Sequence, residues 1–243
     1  MKLYANGCSF TWGGELFKRL HDDDGNVLDE NNPTELNQHR LNITWPKHLS
    51  DHLGCTEFHN HGMGCGSNAR ITRKTLDFFV PKILADEDLS DWVVAIQWSE
   101  PSRFEFFDHV TNTWAIAKHD VVLFEKNRSY SIQDKEDILH YYTYNNDESW
   151  GSNFFLQILA LGNFFKSNNI KYVFTMIHPS FINPLTETQI RYCDENFVWY
   201  NNNIRGCSIS DMGVDQCELS PHPSELGHRQ IAENLFEFLS RQT

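Results

Sequence analysis

The chain has 243 residues, 40% of them apolar and 14% aromatic, with a formal net charge of -13 at pH 7. That length suits a single α/β domain with insertions better than two domains, and the aromatic content is ample for a core. The negative charge opposes contact with phosphate backbones, which argues against a nucleic-acid partner but leaves ester or glycan substrates open.

No run approaches the roughly 18 apolar residues of a membrane helix. The N-terminus lacks the apolar stretch of a signal peptide. A cytoplasmic location with no membrane partner is expected. The six cysteines include no CxxC pair, so free thiols are expected in a reducing compartment.

Residues 2–5 read as a short buried strand that runs into Asn6-Gly7-Cys8-Ser9-Phe10-Thr11-Trp12-Gly13-Gly14. A strand that stops at Gly-x-Ser-Phe and restarts as a helix leaves the serine on a tight turn at the carboxyl edge of a sheet, where open α/β folds hold ligands. Ser9 therefore admits two readings, a nucleophile and a helix N-cap. Residues 15–20 read as a short helix, and 21–40, polar and without a period, as a surface insertion. Thr44-Trp45-Pro46 opens a helix that Gly54 ends. Residues 55–60 are the second strand candidate. The glycine-rich turn Gly62-Met63-Gly64-Cys65-Gly66-Ser67-Asn68 follows, then a long helix to about residue 84 with Ile71, Thr75, Phe78, Phe79 and Ile83 near one face.

Residues 91–98 form the clearest buried strand. Alternation at 114–116 and 121–124 predicts an inserted hairpin. Residues 138–144 and 150–166 read as helices, 171–177 as a fourth buried strand, 187–200 as helical and 201–220 as irregular. Residues 224–240 read as a closing amphipathic helix carrying Leu226, Ile231, Leu235, Phe236 and Leu239. Strands alternating with helices predict a parallel sheet covered on both faces.

Three further stretches match the chemistry Ser9 would need. The turn 60–68 offers backbone N–H groups to an oxyanion. A dinucleotide fingerprint there would need a third glycine where Ser67 stands, and an acid at the end of the next strand. The end of the third strand, Gln97-Trp98-Ser99-Glu100-Pro101-Ser102-Arg103, supplies polar groups and one cation; a salt bridge from Arg103 to Glu105 is the plain alternative. His222, flanked by Pro221 and Pro223 just before the last helix, is held rigidly, as a general base must be. His48 with His52, and His59 with His61, lack a third ligand in register, so neither a metal nor a cofactor is expected. The aromatic residues between 114 and 150 fit local core better than a sugar-binding rim.

These four stretches, in this order, resemble the SGNH/GDSL hydrolase family. Gly7-Cys8-Ser9-Phe10 stands where that family carries its nucleophile block. Residues 60–68 resemble its glycine block, Trp98-Ser99-Glu100-Pro101 its G-x-N-D block, and His222-Pro223 its D-x-x-H block.

The resemblance implies a three-layer α/β/α sandwich with a mainly parallel, flavodoxin-like sheet, insertions near 21–43, 104–148 and 201–220, and ester hydrolysis, often of acetyl groups on carbohydrates. By resemblance Ser9 is the nucleophile and His222 the base. Ser9, Gly64, Cys65, Gly66, Asn68, Ser99, Glu100 and Arg103 would surround the oxyanion and substrate.

Two departures stand out. Glu100 replaces the oxyanion asparagine and could serve only protonated or turned away. Leu219 replaces the aspartate before the histidine, leaving Glu218, with Asp215 nearby, as the acid to orient His222. The expected partner is a small acyl ester or acetylated glycan. The alternative is a catalytically degenerate member of the fold that binds a glycan or serves as a structural or partner-binding protein.

Overall fold

In a computed structural model of the chain, residues 1–14, 16, 33–108, 112–117, 132–218 and 220–242 are described. In chain order the strands are β1 (Lys2–Asn6), β2 (Glu57–Asn60), β3 (Trp92–Trp98), β4 (Phe104–Asp108), β5 (Thr113–Ala117) and β6 (Lys171–Met176). The helices are α1 (Ser9–Trp12), α2 (Pro33–Asn42), α3 (Trp45–His52), α4 (Asn68–Leu84), α5 (Ile132–Tyr144), α6 (Asp147–Ser167), α7 (Glu187–Asn196) and α8 (Glu225–Ser240).

Strands β2, β1, β3 and β6 pair in parallel in that order, with Leu3 beside both Phe58 and Val93, and Ile96 beside Phe174. Every residue of β3 is buried, as a central strand covered on both faces must be. Helix α3 packs on α8 and against β1 and β2, while α4 packs on α6 and against β3. The result is the expected three-layer α/β/α arrangement. Trp45, Trp92, Trp98, Trp199, Phe79 and Phe174 fill its core. Strand order reverses between β1 and β3, and the carboxyl ends of those two strands are where such a sheet opens a crevice.

Local chemistry explains the helix starts. Ser67 accepts the Arg70 N–H at 3.1 Å and opens α4, whose Ile71, Thr75 and Phe79 recur on one buried stripe. Ser224 accepts the Gly227 N–H at 3.1 Å and opens α8. On α8 the buried stripe is His228, Ile231, Ala232, Leu235 and Phe238. Leu226, also carried by this helix, is 55% exposed, because it falls off the stripe at helical spacing.

Residues 33–42, read as part of an irregular insertion, form helix α2. Pro33 suits its first turn, and its good helix formers lack an apolar stripe to signal them. Helix α7 stops at Asn196 rather than Tyr200. Beyond it the chain turns extended, Val198 C=O accepts the Phe174 N–H at 2.9 Å, and Trp199 and Ser208 bridge to β6 in parallel. An inserted hairpin is present, but of the two stretches expected to build it only 114–116 falls on a described strand: it lies in β5, which pairs antiparallel with β4. The expected helix at 15–20 and the alternation at 121–124 lie outside the described residues, apart from Leu16. Among the described residues no helix is long and apolar enough to cross a membrane.

Candidate active site

The site is built at the end of β1. Asn6 is buried and donates through Nδ2 to Ile71 C=O and Thr75 Oγ1, both at 3.1 Å, while its Oδ1 accepts the Gly7 N–H at 2.9 Å. The strand end is thereby tied to α4. At Gly7 a Cβ would lie 2.2 Å from Thr11 Oγ1 and 3.0 Å from Gln97 C=O, so only glycine allows this approach.

Cys8, not Ser9, is the N-cap of α1, which removes the capping reading of Ser9. The Cys8 side chain is fully buried beside Gln97, and burial raises its thiol pKa. A buried neutral thiol is a poor nucleophile.

Ser9 Oγ lies 2.8 Å from His222 Nε2. His222 Nδ1 lies 3.0 Å from Ser220 Oγ, which also accepts the His222 backbone N–H at 3.1 Å. This arrangement suits the tautomer protonated on Nδ1, with the Nε2 lone pair toward the Ser9 hydroxyl. The Phe10 ring is 4.7 Å from the imidazole. Gly14 also leaves room beside the ring: a Cβ there would stand 3.3 Å from His222 Cδ2 and 3.1 Å from Ser9 Cβ.

The glycine turn closes against α1. Met63 N–H reaches Gly7 C=O at 3.1 Å, and Gly66 N–H reaches Met63 C=O at 2.9 Å. Within this turn Cys65 holds φ at 63°, the left-handed position usually given to glycine or asparagine. Among the described residues, the backbone N–H groups of Ser9, Gly64 and Cys65 carry no hydrogen bond, which leaves them for a ligand oxygen.

The loop after β3 forms the other wall. Asn68 clamps Ser99, accepting its N–H at 2.7 Å and donating to its C=O at 3.0 Å. Arg103 Nη1 donates to Ser99 Oγ at 3.1 Å and Nε to Glu100 Oε2 at 3.3 Å, and Ser102 Oγ donates to Glu100 Oε1 at 2.8 Å.

A cleft of about 680 Å³ lies between these walls, bounded by Ser9, Trp12, Gly64, Cys65, Arg103 and His222, with Ile177, His178 and Phe181 on its far side. A second cavity, of about 460 Å³, sits at the amino edge of the sheet against Tyr172 and Phe236, away from these groups.

Of the residues expected around the substrate, Ser9, Gly64, Cys65, Arg103 and His222 line the cleft. Four others stand outside its lining. Gly66 N–H is taken by Met63, Asn68 by Ser99, Ser99 is fully buried, and Glu100 is turned toward Ser102 and Arg103. Glu105 pairs not with Arg103 but with Arg73, at 2.6 Å.

Glu218 is exposed, Asp215 accepts the Ser224 hydroxyl, and Leu219 lies outside the described residues. Ser220 went unnoticed in the sequence. Its signal was the Ser-x-His spacing, which lets a hydroxyl bond the backbone two residues on.

In structure the chain is similar to a protein assigned to the lipolytic G-D-S-L family from Desulfitobacterium hafniense DCB-2, with TM-score 0.50 and 13% identity over 98% of each chain. It is also similar to a GDSL-like lipase from Bacteroides thetaiotaomicron VPI-5482, with TM-score 0.46 and 13% identity over 100% of this chain and 89% of that one. A third likeness is to an acylhydrolase from Bacteroides fragilis NCTC 9343, with TM-score 0.45 and 14% identity over 99% and 87%. The first of these likenesses shows a shared SGNH-like α/β/α fold. No curated protein matches the chain in sequence. A family model matches residues 9–197, and the chain accordingly belongs to the family of unknown function DUF6071.

Proposed function

We propose that the chain is a serine ester hydrolase that removes a small acyl group, with an acetyl ester on a carbohydrate as the favoured substrate. The observation that carries this reading is the 2.8 Å approach of Ser9 Oγ to His222 Nε2 in an open cleft. A hydroxyl nucleophile needs a base within such reach.

In this reading Ser9 Oγ bonds the carbonyl carbon while its proton passes to His222 Nε2. The proton then goes to the departing alcohol oxygen as the ester C–O bond breaks. A water repeats the two steps, frees the acid and restores Ser9. The N–H groups of Ser9, Gly64 and Cys65 meet the negative oxygen of each tetrahedral intermediate. Ser220 Oγ holds the imidazole in the required tautomer. The size of the cleft and the Trp12 and Phe181 side chains in its wall support a sugar-sized alcohol.

Hydrolysis of 4-nitrophenyl acetate tests the reading. Ser9→Ala and His222→Ala should each lower kcat by about 10³-fold or more, since the pair acts as a unit. Both should keep the parent's thermal melt to within about 1 kcal/mol, because neither change empties a core site. A parent that turns over no ester removes the reading and leaves the catalytically degenerate alternative; a Ser9→Ala variant that keeps full turnover removes Ser9 as the nucleophile and with it the mechanism above.

A further inference from the structure

The chain carries 33 acidic residues against 20 lysines and arginines. The cleft inverts that balance: among the described residues its lining includes Arg103, His178 and His222 and no carboxylate. Arg103 is also preorganised. Its Nε is held by Glu100 and its Nη1 by Ser99 Oγ, and Ser99 is itself clamped through its backbone by Asn68. Only 15% of the Arg103 side chain is exposed.

Among the described residues Nη2 has no acceptor. A guanidinium whose Nε and Nη1 are already held has its charge fixed in place and presents Nη2 as a charge-assisted donor to an oxyanion. Across the cleft, His178 Nδ1 accepts the Ser180 N–H at 3.2 Å. The neutral ring therefore carries its proton on Nε2, as a second donor.

The geometry points to an acidic substrate: the alcohol released from the ester carries a carboxylate, as a uronic acid does, and Arg103 reads it. This rests on the hydrolase reading above and names its substrate class. An acetyl group has no room for a charge, so the carboxylate belongs to the alcohol. Glu100 then acts as the positioning residue for Arg103, not as an oxyanion donor.

The test compares O-acetyl glucuronic acid with O-acetyl glucose, which differ only in the carboxylate. The parent should favour the acidic ester in kcat/KM by about tenfold or more, the range of a charge-assisted hydrogen bond, and added salt should shrink that preference. Arg103→Gln should reduce the ratio of the two kcat/KM values to near one. Arg103→Lys, a point charge without the planar fork, should keep part of it.

A parent ratio near one overturns the proposal. So does a ratio that Arg103→Gln leaves unchanged while both esters slow together, which would assign the guanidinium to the oxyanion or to loop structure. If the parent hydrolyses neither sugar ester nor 4-nitrophenyl acetate, the hydrolase reading fails by itself. Calorimetry with free glucuronate and glucose then decides the carboxylate question. Glucuronate binding that Arg103→Gln abolishes upholds it, and no preference for glucuronate over glucose overturns it.

Discussion

His222 owes its orientation to close neighbours: the Phe10 ring, the space left at Cδ2 by Gly14, and Ser220 at Nδ1. A serine hydroxyl is a weaker partner than a carboxylate, so its loss should be correspondingly modest. Ser220→Ala is expected to lower kcat about three- to tenfold, the worth of one neutral hydrogen bond, with KM little changed. A loss as deep as that of His222→Ala would show that Ser220 does more than orient the ring. Cys65 gives a second residue-scale expectation. Its φ of 63° costs a side-chain-bearing residue roughly 1–2 kcal/mol, partly offset in glycine by backbone entropy. Cys65→Gly should therefore raise stability by up to about 1 kcal/mol in urea denaturation, and a clear loss would mean the side chain packs better than its backbone suggests. Ser9 and His222 were legible because each sits in a short local pattern, Gly-x-Ser-Phe and Pro-His-Pro, that limits its backbone. The direction of Glu100 was not, because it depends on Ser102 and Arg103 folding back on it.

Among the elements, the β4–β5 hairpin is the clearest case of a piece held from outside. Arg73 on α4 grips Glu105 with Nε at 2.9 Å and Nη2 at 2.6 Å, and its guanidinium lies 4.7 Å from the centre of the Trp114 ring. The Glu105 side chain is only 4% exposed, so removing its partner strands a carboxylate. Arg73→Met is expected to cost about 1–3 kcal/mol, more than Glu105→Gln, which leaves no buried charge. Amide hydrogen exchange should accelerate first in residues 104–117. Uniform acceleration across the sheet would mean the pair supports the whole fold and not the hairpin. The elements read best from sequence were those with a strong period or cap, such as α4 and β3. Helix α2 was missed because its polar sequence carries no stripe, and the end of α7 because Trp199 bridges a strand far away in sequence.

For the molecule as a whole, the sharpest handle is His228. It is fully buried at the start of α8 and accepts the Trp45 N–H at 3.0 Å, which joins α8 to α3. Burial lowers its pKa from 6.5 to about 3, with His48 and His222 adding to the effect. The unfolded chain thus takes up a proton, below about pH 6.5, that the folded chain refuses until about pH 3. Stability from this group is complete above the higher value and falls as pH drops toward the lower one, by about 1.4 kcal/mol per pH unit. His61, which burial lowers to about 4, acts with the same sign. Urea midpoints should therefore decline steadily as pH falls below about 6.5, and a midpoint that stays flat down to pH 5 would contradict the burial of His228. The alternation of strands and helices, the order of the four blocks and the identity of the Ser9–His222 pair followed from the sequence, since each rests on local periodicity or on a turn a few residues long. Tertiary structure decided which polar groups meet: Ser220 at His222 and Arg103 between Glu100 and Ser99 within their own loops, and Arg73 on Glu105 between a helix and a distant strand. Whether near or far in sequence, a hydrogen bond depends on ångström-scale placement that local sequence pattern does not encode.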